Sequence, residues 1–213
     1  YWDADEQTRS IPLCNSGVIA ADAQVLFSLL DRLGNDNAKH EYYLTDIVGM
    51  ARREGHDCVV VEGNPAELIG IDTRADLARA ESAFQVRARQ AALAGGATMI
   101  APETVWFSFD TIIGQDVVVE PNVFFGPGVQ IGDGVTVKAF SHLEGCTIKK
   151  GAVIGPFARL RPGADIGEGA KVGNFVEVKN SAIHAGAKVN HLTYIGDAII
   201  GEQVVWPLLP NFA

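Results

Sequence analysis

Two cationic side chains, Arg161 and Lys179, stand 18 residues apart in a stretch that repeats every six residues. If three six-residue segments make one turn of a coiled chain, residues 18 apart lie one above the other, about 5 Å apart. Stacked like charges repel each other, so a shared anion explains the pair better than a solvated pair on a surface. A planar arginine fork and a compact lysine ammonium both suit a phosphate group. The sequence therefore predicts a phosphate-binding pair, and a solvated pair is the alternative.

A histidine lies close to the same face. His191 falls two residues after Val189, at a predicted turn. An imidazole, with an ordinary pKa near ~6.5, can accept a proton at neutral pH, so His191 is a candidate general base, with a surface histidine as the alternative. Tyr194 is predicted one coil above Glu177, where an ordinary hydrogen-bonded tyrosine is one explanation. The other histidines lack such surroundings and are interpreted as surface or turn residues: His40, His56, His142 and His184.

The elements that must position these residues follow from the repeat. An aliphatic residue or phenylalanine recurs at Ile113, Val119, Phe125, Ile131, Val137, Leu143, Ile148, Ile154, Leu160, Ile166, Val172, Val178, Ile183, Val189, Ile195 and Ile200. A small or β-branched residue follows each of them after about four positions, and glycine often precedes that residue. A period of six fits neither a helix nor an alternating open sheet, and it predicts a parallel β-helix with three short sides.

The irregular steps support this frame. The spacing drops from six residues to five after Leu143, after Val178 and after Ile195. When the sides are counted in threes from Ile113, all three short steps follow the third side. A chance hydrophobic pattern would not place its defects at one corner, so we expect a triangular solenoid stabilised by coil-on-coil burial.

At the turn after the second side, successive coils carry Phe140, Phe157, Phe175 and Leu192. Side chains at such a corner are expected to point outward, and yet this ladder is apolar. It is interpreted either as a local cap over the corner or as a contact between subunits.

Composition excludes several classes of partner. The net charge of −9 and the isoelectric point near 5.0 argue against nucleic acid and against an anionic membrane surface. No window reaches the ~18 apolar residues of a membrane span, and we expect no signal peptide. The three cysteines, Cys14, Cys58 and Cys146, have no metal-ligand spacing. They are interpreted as reduced thiols of a cytoplasmic protein.

The first 96 residues predict a mixed α/β segment. We expect strands at 16–21 and 58–61, a helix capped by Asp22 with an apolar face that ends at Gly34, and a helix over 45–54. Thr73 and Asp76 resemble a capping box that starts a long helix reaching Ala94, closed by two glycines. No glycine-rich phosphate-binding loop follows a strand, so the segment alone does not predict nucleotide binding.

Three motifs in the repeats resemble one family closely. They are 155–163 (GPFARLRPG), 172–179 (VGNFVEVK) and 191–197 (HLTYIGD), and the earlier segments 15–17 (NSG), 35–38 (NDNA), 41–46 (EYYLTD) and 70–74 (GIDTR) agree in collinear order. They resemble the bacterial bifunctional N-acetylglucosamine-1-phosphate uridyltransferase and glucosamine-1-phosphate N-acetyltransferase. This resemblance implies a left-handed β-helix, an exception to the usual right-handed crossover. It also implies a homotrimer that binds acetyl-CoA between subunits.

The resemblance also implies chemical roles. His191 would be the general base that frees the amine of glucosamine 1-phosphate for attack on acetyl-CoA. Arg161 and Lys179 would bind the sugar phosphate, and Tyr194 would contact the substrate. Asn15 and Asp72 would contact the nucleotide sugar in uridyl transfer from UTP to N-acetylglucosamine 1-phosphate. Asp72, which replaces an asparagine of the family, would also ligate Mg²⁺. A turn asparagine and a helix N-cap are the alternative explanations for these last two residues.

The resemblance divides the chain into four parts. Residues 1–73 correspond to the end of a uridyltransferase domain, 74–96 to a linking helix, 97–205 to a β-helix acetyltransferase domain, and 206–213 to a non-matching tail. Because the family continues on both sides of this stretch, we expect weak or no activity from these residues alone. A non-catalytic β-helix scaffold is the alternative function.

Overall fold

The computed structural model describes residues 5–206, which form two compact units divided between Asp76 and Leu77. This division falls inside the predicted linking helix, three residues after its predicted start. The assignment of residues 1–73 to a uridyltransferase domain stays a prediction, and the predicted tail lies outside the described residues apart from Trp206.

The first unit contains the helices α1 (Glu6–Arg9), α2 (Ala23–Leu30) and α3 (Asp46–Arg53), and α4 (Arg74–Ala94) begins in it. Asp22 caps α2 by accepting hydrogen bonds from the backbone of Gln24 and Val25, as predicted. Leu29 of α2 packs against Ile47 and Ala51 of α3 in a small apolar core. The two helices are also joined by an exposed ion pair between Arg32 and Glu54.

The two strands predicted in the first unit do not form. Residues 16–21 and 58–61 are irregular, and Val59, Val60 and Val61 are 86%, 79% and 88% exposed. A strand requires a neighbour that pairs with its backbone groups, and no strand is described between residues 5 and 76. Those two predictions are therefore wrong for this structure.

The long helix α4 has the predicted ends. Thr73 and Asp76 form the capping box, because the Thr73 N–H donates to Asp76 Oδ2 at 2.8 Å and the Asp76 N–H donates to Thr73 Oγ1 at 3.2 Å. After Ala94, Gly96 adopts a φ of +100° and its N–H donates to the Leu93 carbonyl, a termination that favours glycine.

The second unit is a β-helix, the predicted left-handed solenoid. Its strands are β1 (Thr98–Met99), β2 (Ile112–Ile113), β3 (Val118–Val119), β4 (Phe124–Phe125), β5 (Gln130–Ile131), β6 (Thr136–Val137), β7 (His142–Leu143), β8 (Thr147–Ile148), β9 (Val153–Ile154), β10 (Arg159–Leu160), β11 (Asp165–Ile166), β12 (Lys171–Lys179), β13 (Ala182–Ile183), β14 (Lys188–Gly196), β15 (Ile199–Ile200) and β16 (Val205–Trp206). All the paired strands are parallel, with partners 17 or 18 residues apart in most of the coils.

The strands form the three predicted sides. The first side stacks β2, β5, β8, β11, β13 and β15, and the other two sides share the long strands β12 and β14, which continue around one corner. The repeated aliphatic residues fill the interior; Leu160, Val178 and Val189 are fully buried. Each such side chain contributes about 1.5–3 kcal/mol by leaving water.

The lowest coil of the solenoid is covered by α4. Ala88 and Ala92 of this helix pack against the core, and Gln85 is 2% exposed. The Gln85 amide accepts from the Phe107 N–H at 2.9 Å and donates to the Phe107 carbonyl at 2.7 Å, while Arg89 donates to the Val105 carbonyl at 3.1 Å. Side chains of α4 thus satisfy the backbone groups that a further coil would otherwise pair.

The cysteines are free thiols, in agreement with the sequence. Cys14 and Cys58 are exposed, whereas Cys146 is buried in the solenoid core. Burial raises the pKa of Cys146 to about 12, so this thiol is protonated at neutral pH and behaves as a small apolar residue. No helix between residues 5 and 206 combines the length and the apolar character that crossing a bilayer requires.

Candidate functional site

Arg161 and Lys179 lie on the third side in adjacent coils. Leu160 of β10 pairs with Val178 of β12, and the Arg161 N–H donates to the Val178 carbonyl at 2.9 Å. Because side chains alternate along a strand, the residue after each buried aliphatic points outward. Both cations are half-buried. The 18-residue offset read from the sequence therefore stacks them on one face.

Arg161 is not free in this arrangement. Its Nη1 donates to Glu177 Oε1 at 2.9 Å, in an ion pair whose side chains are 36% and 34% exposed. The Lys179 ammonium has no hydrogen-bond or ion-pair partner among residues 5–206, whereas the Lys179 carbonyl accepts hydrogen bonds from Ser181 Oγ and the Asp197 N–H. Glu177 therefore offsets one of the two stacked charges, and the site retains one uncompensated cation. Because both side chains are partly exposed, the ion pair stabilises the structure by about 1 kcal/mol or less. An anion can therefore compete with Glu177 for Arg161.

Tyr194 lies in the next coil on the same side. It pairs in register with Glu177, as predicted, and it is 59% exposed. Two residues later Gly196 pairs with Lys179. Arg161, Lys179 and Gly196 thus form one outward column, and Arg159, Glu177 and Tyr194 form the column beside it.

His191 lies on the other side of a corner. It pairs in register with Asn174 on the second side, before Leu192, whose φ of 49° marks the turn onto the third side. The chain stays in one continuous strand through this corner. Gly173 permits this close stacking, because a Cβ on Gly173 would lie 2.6 Å from the carbonyl carbon of Asn190. His191 is half-buried, and it stands at the edge of the face that carries the two cations.

This geometry can bind an anion at one place and accept a proton at a neighbouring place. The third side offers a lysine and an arginine to a phosphate, with a tyrosine hydroxyl within the same face. The corner offers an imidazole that no described side chain engages. We missed the Glu177 ion pair from the sequence, although the two-residue alternation with Lys179 already places Glu177 outward.

The two residues assigned to uridyl transfer lie apart from these groups in sequence and belong to the first unit. Asn15 Oδ1 accepts from the Gly17 N–H at 3.0 Å, which is the turn role given as its alternative. Asp72 is exposed, and the helix cap next to it is made by Thr73 rather than by Asp72. No group of three His, Cys, Asp or Glu residues within 5–206 is arranged to hold a metal ion. The described donors around Asp72 therefore do not make a magnesium site.

The apolar ladder lies on the corner that carries Leu192. Phe140 stacks on Phe157 with ring centroids 4.9 Å apart, and Phe157 stacks on Phe175 at 5.2 Å. The three rings are 53%, 47% and 54% exposed, and Leu192 is 64% exposed. All four residues have φ between 49° and 59°, in the left-handed region that disfavours bulky side chains.

The other two corners use different residues in the same backbone conformation. Gly128, Gly145, Gly163, Asn180 and Asp197 occupy the corner after the third side, and four glycines occur at the corner after the first side. Glycine, asparagine and aspartate adopt this conformation readily. The backbone therefore does not explain the phenylalanines of the ladder.

Known proteins resemble this chain at the level of sequence. Residues 110–145 and 145–180 match the family model for the bacterial transferase hexapeptide (six repeats). The chain is 57% identical over 201 residues to the bifunctional protein GlmU of Paramagnetospirillum magneticum, covering 94% of this chain and 45% of that protein. It is 59% identical over 202 residues to the bifunctional protein GlmU of Paracoccus denitrificans, covering 95% of this chain and 45% of that protein.

Solved structures are similar to the chain at lower sequence identity. The acetyltransferase domain of PglB from Neisseria gonorrhoeae FA1090 in complex with acetyl coenzyme A is 23% identical, with a TM-score of 0.44 over 60% of this chain and 65% of that chain. The identity of 57% and 59% to the two curated relatives confirms the resemblance that the sequence motifs indicated. Along 94% to 95% of its own residues the chain is similar to bifunctional proteins GlmU, and it spans about 45% of the length of these relatives.

Proposed function

We propose that the second unit carries the sugar-phosphate part of an acetyltransferase site that makes N-acetylglucosamine 1-phosphate from acetyl-CoA and glucosamine 1-phosphate. The observation that supports this is the stacking of Arg161 and Lys179 on one face, with His191 at the edge of that face. In this proposal the phosphate binds the two cations and the sugar extends toward the corner at Leu192.

The chemistry assigns one step to His191. The imidazole takes a proton from the substrate ammonium, and the free amine attacks the thioester carbonyl of acetyl-CoA. A nitrogen–carbon bond forms, the carbon–sulfur bond breaks, and the thiolate of CoA leaves and takes up a proton. A positioned general base contributes about 10²–10⁴ to such a rate, while the anion site holds the substrate in place.

We also propose, from the family, that the whole protein transfers a uridyl group from UTP to N-acetylglucosamine 1-phosphate. Asn15 and Asp72 remain the candidate contacts in the first unit. The family implies Mg²⁺ for this reaction, but the described residues do not fit it, so we derive no metal-dependent step. The free thiols of Cys14, Cys58 and Cys146 support the cytoplasm as the location.

The sugar-phosphate site is tested by titration calorimetry of the chain with glucosamine 1-phosphate. We expect Arg161→Ala and Lys179→Ala each to raise the Kd about tenfold to hundredfold, because each removes a charge-assisted hydrogen bond worth about 1.5–3 kcal/mol. Lys171→Ala is the matched control, since Lys171 lies on the same strand but on the second side.

An equal loss of affinity for glucosamine 1-phosphate in Lys171→Ala and Lys179→Ala would show that binding depends only on the overall charge of the chain. Binding that survives both Arg161→Ala and Lys179→Ala would contradict the proposed site. A chain that binds no sugar phosphate at all would favour the scaffold alternative.

We further propose that three copies of the chain assemble with the Phe140–Phe157–Phe175–Leu192 ladder in a contact between subunits. Monomeric proteins rarely expose a contiguous apolar stripe, and the left-handed φ values cost about 1–2 kcal/mol per bulky residue. In sedimentation velocity we expect trimers, and Phe157→Ser should shift the population toward monomers. Phe109→Ser is the control, because Phe109 is 83% exposed but lies off the ladder. A monomer unaffected by Phe157→Ser would contradict this role.

A further inference from the structure

The ring of Tyr194 lies across Gly196, two residues further along β14. A Cβ added to Gly196 would lie 2.7 Å from both Cε1 and Cζ of Tyr194 and would overlap the hydroxyl oxygen. The three nearest atoms to that added Cβ all belong to Tyr194. The phenol therefore fills the space that a side chain at position 196 would occupy.

This space belongs to the column of the two cations. Gly196 pairs in register with Lys179, which stacks on Arg161. Tyr194 itself starts from the neighbouring column, above Glu177. By crossing to Gly196, its ring brings the hydroxyl from the Glu177 column to the top of the Arg161–Lys179 column.

We propose that Gly196 is a positioning residue, whose missing side chain lets the Tyr194 hydroxyl act as the third ligand of the bound phosphate. The proposal rests on the sugar-phosphate site proposed above. A phenol O–H donates one hydrogen bond, and a donor above the two cations adds a ligand that neither of them supplies. Gly196 acts only through Tyr194 and does not contact the substrate.

The backbone does not require glycine at this position. Gly196 is not among the glycines with positive φ, so alanine can adopt the same conformation. The overlapping atoms are the far end of an exposed side chain, which can rotate away from a methyl group. Gly196→Ala is therefore expected to move Tyr194 and to leave the solenoid intact.

The experiment measures the Kd of glucosamine 1-phosphate by calorimetry, and the melting temperature, for Gly196→Ala, Tyr194→Phe and the double variant. We expect each single variant to raise the Kd about tenfold, the loss of one hydrogen bond to a charged group. The double variant should bind no more weakly than Tyr194→Phe, because both changes remove the same contact. Gly201→Ala is the control, since an added Cβ there meets only Val204 Cγ2, at 3.7 Å.

Several results would overturn the inference. One is wild-type affinity in Gly196→Ala together with a loss in Tyr194→Phe, and another is a double variant whose losses multiply. A structural role for Gly196 would give a different result. The melting temperature of Gly196→Ala would then fall by several degrees, and adding Gly196→Ala to Tyr194→Phe would weaken binding further. Failure of the underlying site is distinguishable, because then Arg161→Ala would also bind like the wild type.

Discussion

Replacement of His191 by alanine is expected to lower the rate of acetyl transfer about 10²–10⁴-fold, the usual cost of losing a general base. The measurement is kcat/KM from the release of the CoA thiol, in a protein that carries these residues within the full length of the family. The Kd of glucosamine 1-phosphate should change little. The proposed phosphate ligands, Arg161 and Lys179, lie on the third side, whereas His191 lies beyond the corner at Leu192.

The split between rate and binding is the informative part of this experiment. His184→Ala is the matched control, because His184 is exposed and lies next to β13 on the first side. A loss below about fivefold, or an equal loss from His184→Ala, would remove His191 from the mechanism.

The coils could be predicted because their causes are local and repeated. A buried aliphatic residue every six positions, such as Leu160 and Val178, indicates a parallel β-helix with three sides. The five-residue steps after the third side shorten that corner and leave the strands of successive coils in register. The stacking of Arg161 on Lys179 follows from that register alone. The ion pair between Arg161 and Glu177 does not follow from the register. Whether Arg161 contacts Glu177 or solvent depends on side-chain distances, which the six-residue repeat does not give.

The first unit shows the limit of the same reasoning. Helix α2 was predictable because its cap, Asp22, and its apolar face, which includes Leu29, lie within a few residues of each other. Helix α3 forms within the predicted range 45–54 without a side-chain cap hydrogen bond. The segments 16–21 and 58–61 have the composition of strands, but a strand needs hydrogen-bonding partners elsewhere in the chain. The described residues between 5 and 76 contain no strand that could pair with either segment.

The cap over the lowest coil was not foreseen at all. Gln85 belongs to a helix that also packs Ala88 and Ala92 against the core, and a buried glutamine leaves no periodic signal. Its amide matches the backbone pattern of a strand, with one acceptor and one donor, and so it can pair with both polar groups of Phe107. The open end of a solenoid needs such a cap because its last backbone groups would otherwise lack partners.

Gln85→Glu is therefore expected to destabilise the second unit by about 3–5 kcal/mol, the cost of leaving a buried charge without compensation. The shape of the side chain is nearly unchanged, so no cavity forms. The carboxylate cannot donate to the Phe107 carbonyl or to Glu81 Oε1, which now lie 2.7 Å and 2.9 Å from the amide nitrogen. Instead it places a negative charge against both oxygens.

The measurement is urea unfolding followed by tryptophan fluorescence, since Trp106 precedes Phe107 in the capped coil. Gln90→Glu is the matched control, because Gln90 is exposed on the same helix and the same change there should shift stability by less than about 0.5 kcal/mol. Gln85→Leu should fall between the two, since it leaves the Phe107 groups unpaired but introduces no charge. Equal midpoints for Gln85→Glu and Gln90→Glu would mean that water replaces the amide at little cost, and that α4 covers the solenoid without the help of Gln85.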